Sequence, residues 1–255
     1  MPGAPPTLGE PDRRRLEGEK ARWRRQVWDL LGSSQVARFP FPPHDRIPNF
    51  EGALEAAARL AELPEFREAR VVKVNPDAPQ LPVRTAVLRE GKQLVMAVPR
   101  LREERCFRLL EPGTRLAPTV ARGVSQGRPL APGEVPPIDL VVVGSVVVGP
   151  RGERIGKGGG FADLEWGVLS DFGKVSRETR VATTVHALQR TDRLLPVLPH
   201  DLPLDLAVTP QETVRFPPHL PRPHGILPEE LTEATLSEVS WLKDFLTRSR
   251  RPKSL

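Results

Sequence analysis

Residues 138–163 read Ile-Asp-Leu-Val-Val-Val-Gly-Ser-Val-Val-Val-Gly-Pro-Arg-Gly-Glu-Arg-Ile-Gly-Lys-Gly-Gly-Gly-Phe-Ala-Asp. The first part, Ile138–Val148, is the most apolar stretch of the chain. It is rich in β-branched residues and lacks clean alternation, which predicts a strand buried on both faces, as in a parallel sheet. The second part is charged and places four glycines within the five residues Gly156–Gly160. Glycine lets the backbone approach a ligand closely and turn N–H groups inward. Phe161–Phe172 reads as a helix, so the loop feeds a helix start, whose positive end favours anions. Lys157 and Arg154 add full charges. The segment reads as a phosphate cradle or as a flexible turn between strand and helix, and composition alone does not separate the two.

Two common phosphate motifs are excluded. A P-loop needs a hydroxyl residue after Gly-Lys, and Gly158 follows Gly156-Lys157 here. A dinucleotide fingerprint starting at Gly156 would need glycine at position 161, which is Phe161.

Outward from this segment, strands are expected at Ala69–Val74, Gln93–Val98, Arg180–Val185 and Leu204–Val208. Helices are expected at Arg13–Leu31, at Phe50–Leu63 (capped by Asn49, with Leu54, Ala57 and Ala61 on one face) and at Pro82–Glu90. Strands separated by helices predict an α/β fold with a mostly parallel sheet and helices on both faces. Met1–Asp12 is expected to be disordered, and residues 13–215 to form the α/β domain. Residues 216–255 form a proline-rich connection and an amphipathic helix, Leu227–Ser249, with Leu236, Val239, Leu242 and Leu246 at helical spacing. That stripe packs on the domain or on a partner subunit, so a homodimer stays open.

The 255 residues carry 38 Lys+Arg against 32 Asp+Glu, a net charge of +6, concentrated in Arg13–Arg25 and Arg248–Lys253. Such charge suits solvated faces and the steering of small anions. There is no tyrosine and no aromatic platform, so nucleic acid is not an expected partner. No apolar run of about 20 residues exists, and no membrane-spanning helix is expected. Met1–Glu10 lacks the apolar core of a signal peptide. The single cysteine, Cys106, excludes an internal disulfide and a cysteine-based metal cluster. A cytoplasmic location is the corresponding expectation.

Arg154-Ile-Gly-Lys-Gly-Gly-Gly160 with Asp163 resembles the Arg-x-Gly-x-Gly-Gly-Gly-Tyr-Tyr-Asp-Arg loop of the 5-formyltetrahydrofolate cyclo-ligase family. Lys20 and Arg24 resemble the Lys-x-x-x-Arg pair of that family's first helix. Gly91–Arg100 resembles its strand ending in Pro-Arg. Gln189, then His200-Asp201 ahead of Asp205 and Thr209, resemble its C-terminal pattern. The likeness spans roughly residues 15–215. Arg46-Ile-Pro-Asn-Phe50, Asp139–Ser145 and Thr184-Val-His186 are similar to a divergent branch that carries an RNA-recognition motif after this domain, and the chain is read as ending without one.

The resemblance implies a cyclo-ligase-like fold of the NagB/RpiA/CoA-transferase type and an ATP- and Mg²⁺-dependent reaction. ATP phosphorylates the formyl oxygen of 5-formyltetrahydrofolate. N10 then attacks the activated carbon, phosphate leaves, and 5,10-methenyltetrahydrofolate forms. By position, Lys20, Arg24, Gly156, Lys157, Gly158, Gly159, Gly160 and Phe161 would hold ATP. Arg154 and Lys157 would stabilise charge on the transferring group. Asp163 would bind Mg²⁺, and Arg46, His186 and Gln189 would contact the reduced folate. Each of these last three also reads as an ordinary structural residue. The sequence departs from the family at Phe161 and Ala162 (two tyrosines), at Leu164 (arginine) and at Asn75–Pro79 (an acidic segment). A diverged enzyme of the same fold with another small, thiamine-related substrate stays open, as does a non-catalytic nucleotide- or nucleic-acid-binding module.

Overall fold

The apolar run at 138–148 begins as a central strand but leaves the sheet after five residues. This is seen in a computed structural model that describes residues 8–115, 124–218 and 220–249. Eight strands form one sheet in the order β12-β11-β10-β7-β3-β4-β5-β6. They are β3 (Val71–Val74), β4 (Gln93–Ala97), β5 (Phe107–Leu110), β6 (Arg128–Leu130), β7 (Leu140–Val142), β10 (Arg180–Thr184), β11 (Leu206–Val208) and β12 (Thr213–Arg215). The five strands β11, β10, β7, β3 and β4 are mutually parallel, and the edges are antiparallel. The order reverses between β3 and β7: the chain runs from β3 outward to β4 on one side, then from β7 through β10 to β11 on the other.

Strand alternation sends Val72, Val74, Leu94, Met96, Leu140 and Val142 to one face, against α2 (Ala53–Ala61) and α4 (Leu81–Arg89). It sends Val71, Val95, Val141, Val143 and Val181 to the other face, against α5 (Phe161–Asp171) and the C-terminal segment. Each such side chain, fully buried, contributes about 1.5–3 kcal/mol. The expected mixed fold, a mostly parallel sheet covered on both faces, is therefore what forms. α1 (Glu10–Ser33) docks separately, through Val27, Trp28 and Leu31 against Val146, Val147 and Ile155. Among the described residues no helix is long and apolar enough to cross a membrane.

Several elements differ from expectation. β7 ends at Val142, and the chain passes close under Ile47 at Gly144, where a Cβ would lie 2.8 Å from Ile47 Cγ1. Beyond it β8 (Val147–Val148) pairs with β9 (Arg154–Ile155) in a separate hairpin. Asn49 does not cap a helix: β2 (Asn49–Phe50) pairs with β1 (Ala37–Arg38), and α2 begins only after Gly52, at φ +85°. Leu54 is consequently 68% exposed, while Ala56, Ala57, Leu60 and Ala61 are buried. α1 starts at Glu10, with Pro11 in its first turn. Glu10–Asp12 are thus helical, and residues 1–7 of the expected disordered stretch lie outside the described residues. The expected terminal helix breaks into a 3₁₀ turn (Pro228–Glu230), α6 (Glu233–Glu238) and α7 (Ser240–Ser249). The Thr232 hydroxyl caps α6, and buried Val239 leaves helical geometry between the two helices. The apolar stripe packs on the domain. Residues 250–253 of the basic C-terminal cluster lie outside the described residues.

Candidate active site at the strand-order reversal

In open α/β sheets, ligands bind outside the carboxyl ends of the strands where the strand order reverses. Here those ends deliver Asn75 and Asp77 after β3, and Gly144 and Ser145 after β7. The glycine loop returns to the same place. Lys157 Nζ donates to Asp77 Oδ1 at 2.8 Å, joining the loop to the opposite half of the sheet.

Arg154 is buried under the loop. Its Nη1 donates to the Gly144 carbonyl at 3.0 Å, and its Nη2 pairs with Asp163. Its Nε is buried and has no hydrogen-bond partner among the described residues. From α1, Arg24 Nε donates to the Gly156 carbonyl at 2.8 Å, and buried Lys20 pairs with Asp201. Arg154, Arg24 and Lys157 thus meet at the loop, and Lys20 is tied to Asp201. Gly158 (φ +113°) and Gly160 (φ +66°) hold backbone shapes that side chains rarely adopt. Gly160 caps α5, and among the described residues no side-chain cap hydrogen bond is made there.

The charges are unevenly satisfied. Burial works against the charged form of Arg154, but Asp163, Asp201 and Glu165 outweigh it and raise its pKa. Burial likewise opposes ionised Asp163. The Arg154 guanidinium and the Leu202 N–H, 2.9 Å away, overcome this and hold the carboxyl below its usual range. Arg24 goes the other way: burial, helped by Arg154, lowers its pKa despite Asp201 and Glu17.

The expected substrate residues fare differently. Gln189 is buried and held inside the protein: its Nε2 donates to the Ser145 carbonyl (2.8 Å) and its Oε1 accepts the His186 N–H (2.8 Å). His186 accepts the Leu188 N–H on Nδ1 at 3.2 Å and meets Phe50 edge-on, and burial lowers its pKa. Arg46 is exposed, and its carbonyl accepts the Trp28 indole N–H at 3.1 Å. It neighbours Ile47, which covers Gly144. Phe161 packs partly on the core.

Asp77, Asp201 and a buried trio of Lys73, Glu165 and Asn75 were not singled out from the sequence as site residues. Lys73 pairs with Glu165, and both contact Asn75 at 3.3 Å. A lysine inside the strand Val-Val-Lys-Val was the available signal. No group of three or more His, Cys, Asp or Glu among the described residues could hold a metal by itself. A single carboxylate such as Asp163 could still share a Mg²⁺ with phosphate oxygens, since that cation is commonly held by one or two carboxylates plus phosphate. Asp163 uses only Oδ1 in its hydrogen bonds to Arg154 and Leu202. The unpartnered Arg154 Nε suits an anionic group.

A model of the 5-formyltetrahydrofolate cyclo-ligase family matches residues 16–210. Methenyltetrahydrofolate synthase domain-containing protein of Mus musculus is 37% identical over 238 residues, covering 89% of this chain and 63% of the relative. That of Bos taurus is 40% identical over 230 residues, covering 87% and 60%. The chain thus spans 60–63% of the length of these curated relatives. The NMR structure of Aquifex aeolicus 5,10-methenyltetrahydrofolate synthetase superposes with a TM-score of 0.52 at 19% identity, over 80% of this chain and 96% of that one, a likeness of fold.

Proposed function

We propose, for a chain that belongs to the 5-formyltetrahydrofolate cyclo-ligase family, an ATP- and Mg²⁺-dependent activity that closes 5-formyltetrahydrofolate to 5,10-methenyltetrahydrofolate. The observation that carries this reading is the convergence of Arg24, Arg154 and Lys157 on a glycine loop beside the strand-order reversal.

Arg24, Lys157 and the Gly156–Gly160 backbone bind the phosphates. Arg154, fixed by Gly144 and Asp163, holds the loop and turns its spare Nε toward negative charge. Asp163 and Asp201 provide hard oxygens for the cation. When bound, Mg-ATP supplies the phosphoryl group that activates the formyl oxygen. The protein's part is to orient the two substrates across the crevice and to stabilise charge on the transferring group. Asp77 and Ile47 form the folate side, with His186 and Arg46 at its rim.

Mixing the protein with 5-formyltetrahydrofolate, ATP and Mg²⁺ is expected to give an ATP-dependent rise in methenyltetrahydrofolate absorbance. No turnover at high protein concentration, with ATP binding intact, overturns the folate reading. It would favour another small substrate, which Phe161, Ala162, Leu164 and Asn75–Pro79 recommend as the second reading. Leu164 is buried in the core, where the family's arginine would not fit unchanged.

A further inference from the structure

The family match ends at residue 210, and the chain beyond it builds a second recess at the far end of α5 from the glycine loop. Val239 and Leu242 are buried in the core, which fixes the face that α7 presents. Trp241, Asp244 and Phe245, at i, i+3 and i+4, share one side of that helix. Together with Glu104, the turn residues Ala131, Pro132 and Gly133, and Phe172, the residue that ends α5, they line a cavity of about 300 Å³. That is the lower end of the size of small-molecule pockets, which run from about 300 to 1,000 Å³. α5 has 11 residues, so the recess lies about 16 Å along the helix from the glycine loop.

Three half-buried aromatic rings form its apolar part. Phe172 and Phe245 stack with centroids 5.0 Å apart, and Trp241 meets Phe245 edge-on at 6.2 Å. The Trp241 indole N–H donates to the Leu101 carbonyl at 2.8 Å. This pins the ring and uses its one donor, so Trp241 offers a ligand only its ring surface. Rings that served packing alone would be expected to close on one another, since protein interiors leave few voids larger than a water molecule. Here the cavity stays open between them.

The carboxylates select the ligand. Nearby acids are paired: Glu103 with Arg108, Glu134 with Arg105, and Glu238 with Arg100. The carboxylates of Glu104 and Asp244, both exposed, have no ion-pair or hydrogen-bond partner among the described residues. Arg105, next to Glu104 in the chain, is committed to Glu134 and to the Pro129 carbonyl. Two unpaired negative charges beside aromatic rings suit a cation with an apolar skirt, because ring faces attract cations and alkyl groups fill the space against them. A bare metal ion fits less well, since no group of three or more His, Cys, Asp or Glu among the described residues could hold one. We propose that this recess binds an alkylated ammonium group, with Trp241, Phe245 and Phe172 as its walls and Glu104 and Asp244 as its counter-charges. The site is independent of the nucleotide reading above.

Titration of the full chain with choline, followed at the Trp241 indole N–H resonance, reads the site directly; the resonance is assigned by its loss in Trp241→Phe. The uncharged alcohol 3,3-dimethylbutan-1-ol has the same shape as choline without the charge. Choline is expected to shift the resonance saturably and to bind at least about tenfold more tightly than the alcohol. Glu104→Gln and Asp244→Asn are each expected to weaken choline about two- to fivefold. Alcohol binding should stay unchanged in both, which reports that the recess remains folded. The amide of trimethyl-lysine, as a second probe, separates the sources of the group. Tighter binding of that probe assigns the site to a modified protein side chain, and tighter choline assigns it to a free small molecule; either supports the site. No saturable shift with choline up to about 0.1 M overturns the proposal. Equal affinity for the alcohol, or unchanged choline affinity in the double variant Glu104→Gln/Asp244→Asn, overturns it as well.

Discussion

At the scale of single residues, the pair Arg154–Asp163 sets what the glycine loop can do. Both side chains are nearly buried, with 2% and 10% exposure. Removing one charge leaves the other uncompensated, a change that typically costs about 3–5 kcal/mol in buried pairs. Asp163→Asn is therefore expected to lower stability in denaturant unfolding by roughly that order, less the relief given by its slight exposure. The pH dependence has a definite sign. The folded carboxyl titrates below the reference value of 3.8, so its contribution is complete above that value and fades as pH falls through the lower, folded value. Acid unfolding followed below about pH 4 should be shallower in the Asn variant. Cys106 gives a second check. Burial pushes its thiol up to about 12, so a thiol reagent at pH 8 should not label the native chain and should label one site after unfolding. Lys20, Arg24, Arg154 and Lys157 were legible from the order of motifs along the chain. Asp77 was not, because it acquires its role through Lys157, 80 residues away. The internal bonds of Gln189 were not legible either, because its partners, Ser145 and Val146, lie across another loop.

At the scale of elements, β3 and α5 are joined by Lys73 and Glu165 inside the core, with 1% and 5% side-chain exposure. Lys73→Met should cost about 3–5 kcal/mol, since Glu165 stays buried without its counter-charge. The double change Lys73→Met/Glu165→Leu should recover much of that loss, and a double-mutant cycle in urea measures the difference. Additive losses would show that the two side chains act independently. Elements whose apolar spacing matched their own burial were readable: β3, β4, α4 and α5 fall within two residues of expectation. The 138–148 run was not, because its second half, Val147–Val148, pairs with Arg154–Ile155 in a separate hairpin, and β-branched composition does not distinguish the two pairings. The terminal helix carried the right apolar spacing, but the Thr232 cap and the docking of Val239 divide it.

At the scale of the molecule, the alternation of strands and helices made a parallel sheet legible. It did not reveal the strand order, since short β-branched strands carry no label of their neighbours. Yet the order decides the site: its reversal separates the half bearing Asp77 from the half bearing the glycine loop. Lys157, 45% exposed, spans that gap to Asp77. Any phosphate bound at the loop must compete with Asp77 for this ammonium. Pairs this exposed are worth about 0.2–1 kcal/mol. Asp77→Asn is therefore expected to tighten Mg-tripolyphosphate binding by up to about fivefold. The gain should shrink in high salt, where exposed pairs are screened. On the folate side, the same change removes a carboxylate from the crevice, so turnover is expected to fall while phosphate affinity rises. Two ligands meeting at the reversal would respond in opposite directions to one substitution, whereas a simple loss of folding would weaken both. Weaker tripolyphosphate binding in Asp77→Asn would mean that Asp77 positions Lys157 for the phosphate instead of competing for it.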